Sequence, residues 1–446
     1  MSHGPIAVSY DELQGLPFLR KARPFDDISR ASPESILRTV YQCADLVLFN
    51  LADLMGRAAA EVSAGRFGAA MVKLAWSRSF HGVLTKLSLL PLGFAPVAPK
   101  GKTVSIADSP ALAEFLGSLR RFDSVLRGSI ESGGIDPRQL LRTKSLDDSS
   151  LQLIRLATIC RHEATIWESH LNRSLLWTGV GYQQAIAPGL LRQAVYCSVL
   201  DVDNFLLQFR VMHQVQELLG EEVNDRLELA VRMLREGKVD AAADLTGEAT
   251  RILDPILACL APLVDNLAAS DYHKIRTYLG LTSGGHSVNL HFYLLTDIYE
   301  QFSDEVTNYL ENTTESGDGG STRLANAARQ LRGLLLLWRD QHVHLPRNNL
   351  GGHMTRSLVG SSDALQAVHT MRSKAIEADR LKLPGETWAG ESPGSIQAYE
   401  RSAESLDDVI MAAAGSVTQE EFPEVQARTG FFSHSCPFVR PPFRKI

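Results

Sequence analysis

The stretch PESILRTVYQCADLVLFNLADLMGRAAA, residues 33–60, indicates the fold class. Its apolar side chains recur at intervals of three and four residues, which is the spacing of one face of an α-helix. The same periodicity runs through most of the chain, and the alternation typical of β-strands is scarce. The sequence therefore predicts an all-α protein. The other predicted helical segments are residues 151–171, 191–220, 224–264, 286–312 and 321–345.

Clusters of glycine, proline and serine punctuate this pattern and predict the loops between helices. Pro346 is expected to interrupt the last helix, because proline lacks the backbone N–H that continues a helix. Residues 383–395 are predicted to form a linker or surface loop. We expect three regions, namely residues 1–190, residues 191–395 and a C-terminal tail of residues 396–446.

Composition narrows the class of protein. The 446-residue chain has a net charge of −6 and 22% charged residues with the two signs mixed, which gives no indication of a nucleic-acid partner. The five cysteines are dispersed without CxxC spacing, a pattern that argues against a disulfide framework. No run approaches the roughly 20 apolar residues that span a bilayer, and no secretory signal is visible. We therefore expect a cytoplasmic protein without a membrane partner.

The two halves of the chain resemble each other. AEVSAGRFGAAMVKL (60–74) is similar to MLREGKVDAAADL (233–245), which pairs Gly65 with Gly237 (237 − 65 = 172). IRLATICRHEA (154–164) parallels RGLLLLWRDQH (332–342), and DSPALAEFL (108–116) parallels HSVNLHFYL (286–294). Generic helix amphipathicity can also produce such matches. We interpret them as an internal duplication, whose two units would pack as an intrachain pseudo-dimer.

Three segments of the second half carry residues suited to chemistry. In DNFLLQFRVMHQVQE (203–217), Phe209 and His213 are four residues apart and share a helix face. In SDYHKIRTYLGLTSGGHS (270–287), Arg276 presents the planar, permanently charged group that suits a carboxylate. In LLLLWRDQHVHLPRNNLGG (334–352), Trp338 and His342 form another pair four residues apart, and imidazole is a common axial ligand of heme iron. Taken singly, each histidine is equally compatible with a structural core residue, and the arginine with a solvated surface.

Together the three segments resemble the tryptophan 2,3-dioxygenase family over roughly residues 200–365. The family pattern F-x-x-x-H-Q-x-x-E-L is matched by Phe209, His213, Gln214, Glu217 and Leu218. The pattern Y-x-x-x-R-x-x-L-G-x-x-S-G is matched by Tyr272, Arg276, Leu279, Gly280, Ser283 and Gly284. The pattern W-R-x-x-H is matched by Trp338, Arg339 and His342. The three motifs also occur in the family's order.

This resemblance implies an all-α, tryptophan-dioxygenase-like helical bundle that holds heme b and uses O2 as co-substrate. His342 would be the iron ligand, and His213 would be the distal catalytic residue. Phe209, Tyr272 and Arg276 would bind a small aromatic amino acid, with Arg276 on its carboxylate. The resemblance also implies a homo-oligomer.

The segment that corresponds to the family's substrate-covering loop departs from the family pattern. It reads TRSLVGSSDAL (355–365), so its hydroxyl contacts are assigned only provisionally among Thr355, Ser357, Ser361 and Ser362. We assign Thr355 and Ser357 to the substrate, and Ser361 together with Trp338 to the heme. His286 stands where the family has glutamine. These departures leave the identity of the substrate open.

The first half resembles the same pattern with its chemistry removed. Tyr41 stands in place of the distal histidine, Cys160 in place of Trp338, and Ala164 in place of His342, while Ala98 falls at the offset of Arg276. We expect the first half to be a structural repeat without heme.

Three functions remain open at this point. The first is a heme-dependent dioxygenase that cleaves the indole ring of L-tryptophan or a tryptophan derivative. The second is a heme-dependent monooxygenase or hydroxylase of tyrosine or modified tryptophan in specialised metabolism, which the altered loop favours. The third is a non-catalytic heme-binding helical protein.

Overall fold

The first long helix begins where the sequence provides a cap and a proline. Ser32 precedes helix α3 (Pro33–Ser63), and its hydroxyl accepts a hydrogen bond from the backbone N–H of Ser35 at 3.1 Å. Proline suits the first position of a helix, where no N–H is needed. The helix ends before Gly65, whose φ of 71° is the left-handed conformation that glycine adopts readily. Local chemistry therefore sets both ends of α3.

The computed structural model describes residues 10–22, 30–94, 102–132, 149–178, 180–197, 204–279, 291–313 and 319–349, together with Leu381 and Leu383. All of these belong to one compact unit, Met1–Glu386, whereas the unit Thr387–Ile446, and with it the predicted tail, lies outside the described residues. The predicted all-α class is confirmed. Two three-residue strands, β1 (Lys102–Val104) and β2 (Leu176–Thr178), pair antiparallel beside the helices.

The helices other than α3 are α1 (Tyr10–Leu13), α2 (Leu16–Lys21), α4 (Phe67–Leu89), α5 (Pro110–Ser132), α6 (Ser149–Arg173), α7 (Tyr182–Ile186), α8 (Pro188–Val195), α9 (Asn204–Arg235), α10 (Val239–Ala258), α11 (Leu260–Asn266), α12 (Ala269–Leu279), α13 (His291–Thr313) and α14 (Gly319–Asn349). Short 3-10 turns occur at Leu90–Gly93 and Ile106–Asp108.

The long helices pack as two groups with the same neighbour relations. In the first group, which we call the N-terminal bundle, α3 packs on α4 and α5, and α4 packs on α6. In the second, the C-terminal bundle, α9 packs on α10 and α13, and α14 packs on the same two helices. Helices α9 and α14 therefore lie at opposite corners of the C-terminal bundle. The bundles meet where α3 packs on α9.

The turn after the first long helix of each bundle has the same geometry. Gly65 and Gly237 have φ values of 71° and 74°. The next residues, Arg66 and Lys238, have φ and ψ of −93° and 64°, and of −90° and 64°. Each glycine N–H donates to the carbonyl three residues earlier, at 3.0 and 2.9 Å. The two glycines that the sequence comparison paired thus occupy equivalent turns.

A pair of buried glutamines repeats this relation between the halves. Gln42 and Gln214 are also separated by 172 residues (214 − 42 = 172), and each donates from Nε2 to one carbonyl of its own half and one of the other half. The acceptors are the carbonyls of Ala22 (3.0 Å) and Ile186 (3.3 Å) for Gln42, and those of Ala194 (2.9 Å) and Gln14 (2.7 Å) for Gln214. The acceptors obey the same separation, since 194 − 22 and 186 − 14 both equal 172. We call this arrangement the glutamine clamp.

The contact between α3 and α9 is reciprocal. Cys43 Sγ lies 3.9 Å from the carbonyl oxygen of Val215, the residue 172 positions later. Asn50, seven residues after Cys43, accepts a hydrogen bond at 3.2 Å from Gln208, seven residues before Val215. Contacts of this kind, in which a position meets its own counterpart at the centre and exchanged partners on either side, characterise a two-fold relation.

A buried charge network also joins α3 to α9. The carboxylate of Glu222 accepts hydrogen bonds from Ser35 Oγ and Thr39 Oγ1, each at 2.8 Å, and forms an ion pair with Arg226 at 2.7 Å. Both side chains of the ion pair have no exposed surface. Arg226 also reaches Glu248 on α10 at 3.0 Å. Because buried charges are tolerated only when paired and hydrogen bonded, this network holds the two bundles in one register.

Two sequence expectations change against these coordinates. The interruption at Pro346 was wrong, because α14 continues to Asn349. A proline this close to the helix end removes a single backbone hydrogen bond, and the helix stops three residues later. Leu383, predicted to lie in a linker or surface loop, is buried. The division at residue 190 stays a prediction, although helices on both sides of it pack together.

Candidate functional site

Helix α9 presents Phe209 and His213 on one face. Their ring centroids lie 4.1 Å apart at an interplanar angle of 37°, as the four-residue spacing predicts. His213 Nδ1 lies 2.7 Å from the backbone carbonyl oxygen of Phe209. A carbonyl can only accept, so Nδ1 carries the proton and Nε2 of the neutral ring carries the lone pair. Phe209 is buried, whereas His213 keeps part of its surface accessible.

Helix α14 presents Trp338 and His342 in the same way. Their rings stack at a centroid distance of 5.1 Å with an interplanar angle of 9°. Both side chains are partly accessible, and Trp338 packs against the hydrophobic core. The indole fixes the plane of the imidazole on its helix.

The two histidines influence each other across the C-terminal bundle, although α9 and α14 lie at opposite corners. Burial lowers the pKa of His342 to about 4, and the neighbouring His213 lowers it further. Burial likewise lowers the pKa of His213 to about 4, while its hydrogen bond to the Phe209 carbonyl favours the charged form. Both rings are therefore neutral near pH 7. Partial accessibility combined with strong desolvation is the combination expected for side chains that line an interior space.

The other predicted site residues divide into two groups. Tyr272 lies on α12, is partly buried against the core, and shares this helix with Arg276. Helix α12 packs on α14, the helix of His342. The side chain of Arg276 lies outside the described residues, as do Thr355, Ser357, Ser361 and Ser362 of the altered loop, and His286. Their assignments stay predictions.

The counterparts in the N-terminal bundle have no surface to offer a ligand. Tyr41 is fully buried, donates its hydroxyl to the Ser174 carbonyl, and stacks on Tyr182 at 6.1 Å. Cys160 and Ala164 are also buried, with exposed fractions of 1% and 4%. Ala98 lies outside the described residues.

The sequence analysis missed a buried polar residue next to this site. Gln14, between α1 and α2, has no exposed surface, and its backbone carbonyl accepts the hydrogen bond from Gln214, the residue after His213. In the sequence, a single glutamine in LQGLPFL resembles an ordinary surface amide, so periodicity alone gave no signal for it.

Possible ion sites and membrane spans were searched among the described residues. No group of three or more histidine, cysteine, aspartate or glutamate side chains is arranged there to hold a metal ion. None of the described helices is both long and apolar enough to cross a membrane. The four described cysteines, Cys43, Cys160, Cys197 and Cys259, are all free thiols.

Comparison with family models, with curated proteins and with solved structures finds no match for this chain.

Proposed function

We propose that this chain is a heme-dependent oxygenase that inserts oxygen from O2 into the aromatic ring of L-tryptophan or a tryptophan derivative. The observation that carries the proposal is the pair of neutral imidazoles, His213 and His342, brought together from opposite corners of one four-helix bundle. The core of such a bundle, lined by side chains from facing helices, is a common place for a cofactor.

The residues present fit a heme. An iron porphyrin needs one axial ligand from the protein, so a cluster of several protein ligands is not required. His342 meets that need, because neutral imidazole is the ligating form and its pKa of about 4 keeps it neutral. Trp338, stacked on His342, would hold the ring in a fixed plane beneath the porphyrin. When bound, the heme would supply the activation of molecular oxygen.

His213 would orient the substrate. The hydrogen bond from Nδ1 to the Phe209 carbonyl leaves the Nε2 lone pair as an acceptor, and the N–H of an indole ring is a matching donor. Phe209, packed on the imidazole at 4.1 Å, would provide an apolar surface for the flat ring. Arg276 would bind the substrate carboxylate, an assignment that rests on the sequence resemblance.

We further propose that the chain is an internal duplication with a single heme site. The equivalent turns at Gly65 and Gly237, the glutamine clamp and the reciprocal contacts around Cys43 support the duplication. The buried Tyr41 and Ala164 support the loss of the site from the N-terminal bundle. The intrachain pairing would supply within one chain an interface that other pseudo-symmetric proteins form between two subunits.

The proposal is tested with purified, heme-loaded protein under O2. We expect a Soret band with close to one heme per chain, and a product of L-tryptophan or a derivative that is heavier by two oxygen atoms. A gain of one oxygen atom would instead establish the monooxygenase.

The facing histidines favour one other candidate, a non-catalytic protein in which both imidazoles ligate the iron. A six-coordinate, low-spin ferrous spectrum that does not change on adding O2 or an aromatic amino acid would establish this candidate and overturn the oxygenase. A five-coordinate ferrous spectrum is the result we expect. Replacing His213 with alanine should leave the heme bound if His342 is the ligand.

A further inference from the structure

Gln14 is a buried amide without a hydrogen-bonding role of its own. Its side chain has no exposed surface, and neither Nε2 nor Oε1 makes a hydrogen bond to any residue that the structure describes. Leaving a buried polar group unsatisfied costs about 1–3 kcal/mol per group. Such a group in a folded protein calls for an explanation, and a bound ligand is one of them.

The position of Gln14 places it at the proposed site. Its carbonyl oxygen lies 2.7 Å from Nε2 of Gln214, and Gln214 directly follows His213 on α9. The corresponding segment of the other half, α7, shows where such a segment leads. There Tyr182 stacks on Tyr41, the counterpart of His213, and Ile186 supplies the clamp carbonyl four residues later.

The two halves provide an internal control for the unsatisfied amide. Oε1 of both clamp glutamines, Gln42 and Gln214, lacks a hydrogen bond among the described residues, so this feature belongs to the clamp itself. Where the C-terminal site has Gln14, however, the N-terminal bundle has Ile186, which is buried and apolar. The unsatisfied amide of Gln14 therefore occurs on the side of the proposed site alone, and the clamp does not require it.

We infer that Gln14 is a specificity-determining residue that hydrogen bonds a polar substituent, a hydroxyl or amino group, on the aromatic ring of the substrate. This inference rests on the proposed function. An unsubstituted indole has one N–H, which His213 would accept, and it offers nothing to an amide. A ring hydroxyl can donate to Oε1 and accept from Nε2, so it would satisfy Gln14 in full.

The test compares ligand binding to the heme-loaded protein and to Gln14→Ile, which copies the residue of the inert half. The probes are L-tryptophan and its 4-, 5-, 6- and 7-hydroxy derivatives, and binding is followed by titration calorimetry and by the Soret band. We expect at least one hydroxylated derivative to bind at least tenfold more tightly than tryptophan, because a site built to hydrogen bond a hydroxyl discriminates strongly against its absence. In Gln14→Ile that preference should disappear, while tryptophan binding changes less than twofold.

Thermal unfolding without ligand supplies a readout that a merely structural role would move in the opposite direction. Gln14→Ile should be as stable as the parent protein or more stable, since it removes an unsatisfied amide. Equal affinity for all five probes, a preference that survives in Gln14→Ile, or a clear loss of ligand-free stability in this variant would each overturn the inference. Absence of heme, or of binding by every probe, would instead overturn the proposed function on which it rests.

Discussion

The N-terminal and C-terminal bundles share their helix neighbours, their turns and their glutamine clamp, but they differ at their centres. In the N-terminal bundle, His81, Phe115 and Trp167 fill the interior and have no exposed surface. Trp167 Nε1 donates to His81 Nδ1 at 2.9 Å, and Phe115 meets the imidazole edge-on at 5.7 Å. Burial lowers the pKa of His81 to about 3, so this histidine is a neutral core residue.

In the C-terminal bundle, by contrast, the aromatic and imidazole rings of α14 remain partly accessible. Trp338 and His342 stack on one another along their own helix, and His342 is influenced by His213 from across the bundle. The comparison teaches that one scaffold serves either a packed core or a ligand site, depending on a few central side chains. The substitutions below alter matched positions of the two bundles.

The largest expected effect is on heme content. His342→Ala should lower the heme bound from about one per chain to near zero, because it removes the proposed axial ligand. Ala164→His, the matched change in the N-terminal bundle, should add none, since Ala164 is 4% exposed in a filled interior. The measurement is a pyridine hemochrome assay on purified protein. Two hemes per chain in the parent protein would contradict the division of roles between the bundles.

The next largest effect is on stability. Trp167→Ala should lower the free energy of unfolding by about 3–5 kcal/mol, the usual range for removing a buried aromatic side chain. Part of this loss arises because His81 Nδ1 loses its donor. Trp338→Ala should cost about 1–2 kcal/mol in the heme-free protein, because the side chain is partly accessible. Urea unfolding of both variants measures the difference, and equal losses would show that the C-terminal interior is packed as tightly as the N-terminal one.

A buried acid of the N-terminal bundle should make stability depend on pH. Burial raises the pKa of Asp45 from 3.8 to about 7, while hydrogen bonds from Ser109 and Tyr182 favour ionisation. The folded state therefore holds this proton more tightly than the unfolded chain does. The penalty for ionising Asp45 is absent below about pH 4, grows up to about pH 7 and is complete above it.

Asp45→Asn removes that penalty, so its stability relative to the parent protein should rise by about 2–4 kcal/mol between pH 4 and pH 8. Unfolding free energies measured across this range check the prediction. Glu217→Gln is the matched variant, since Glu217 follows Asp45 by the same 172 residues (217 − 45 = 172). A pH-independent difference between Asp45→Asn and the parent protein would show that Asp45 is ionised when folded.

The smallest effect compares the two turns. Gly65→Ala and Gly237→Ala should each destabilise the protein by about 1 kcal/mol, because both glycines have positive φ. A Cβ atom at either position would meet no atom within 4 Å, so the backbone conformation alone sets the cost. Thermal unfolding should give losses that agree within about 0.5 kcal/mol. Clearly unequal losses would argue against equivalent turns in the two halves.

Local features of the molecule followed from its sequence. Helical periodicity predicted the all-α class, and a spacing of four residues predicted that Phe209 would meet His213 and that Trp338 would meet His342. Such features depend on one turn of helix, so neighbouring residues suffice to specify them. The similarity around Gly65 and Gly237 likewise identified two turns that share one geometry.

Relations between distant segments did not follow in this way. His213 and His342 are 129 residues apart (342 − 213 = 129), and Gln14 lies 200 residues before Gln214. The sequence suggested the histidine pair by resemblance alone and gave no sign of Gln14 or of the reciprocal contact at Cys43. Periodicity records which face of a helix is apolar, whereas the partner that covers this face depends on how all the helices pack together. The scaffold was therefore legible in short stretches of chain, and the candidate site emerged when the bundles assembled.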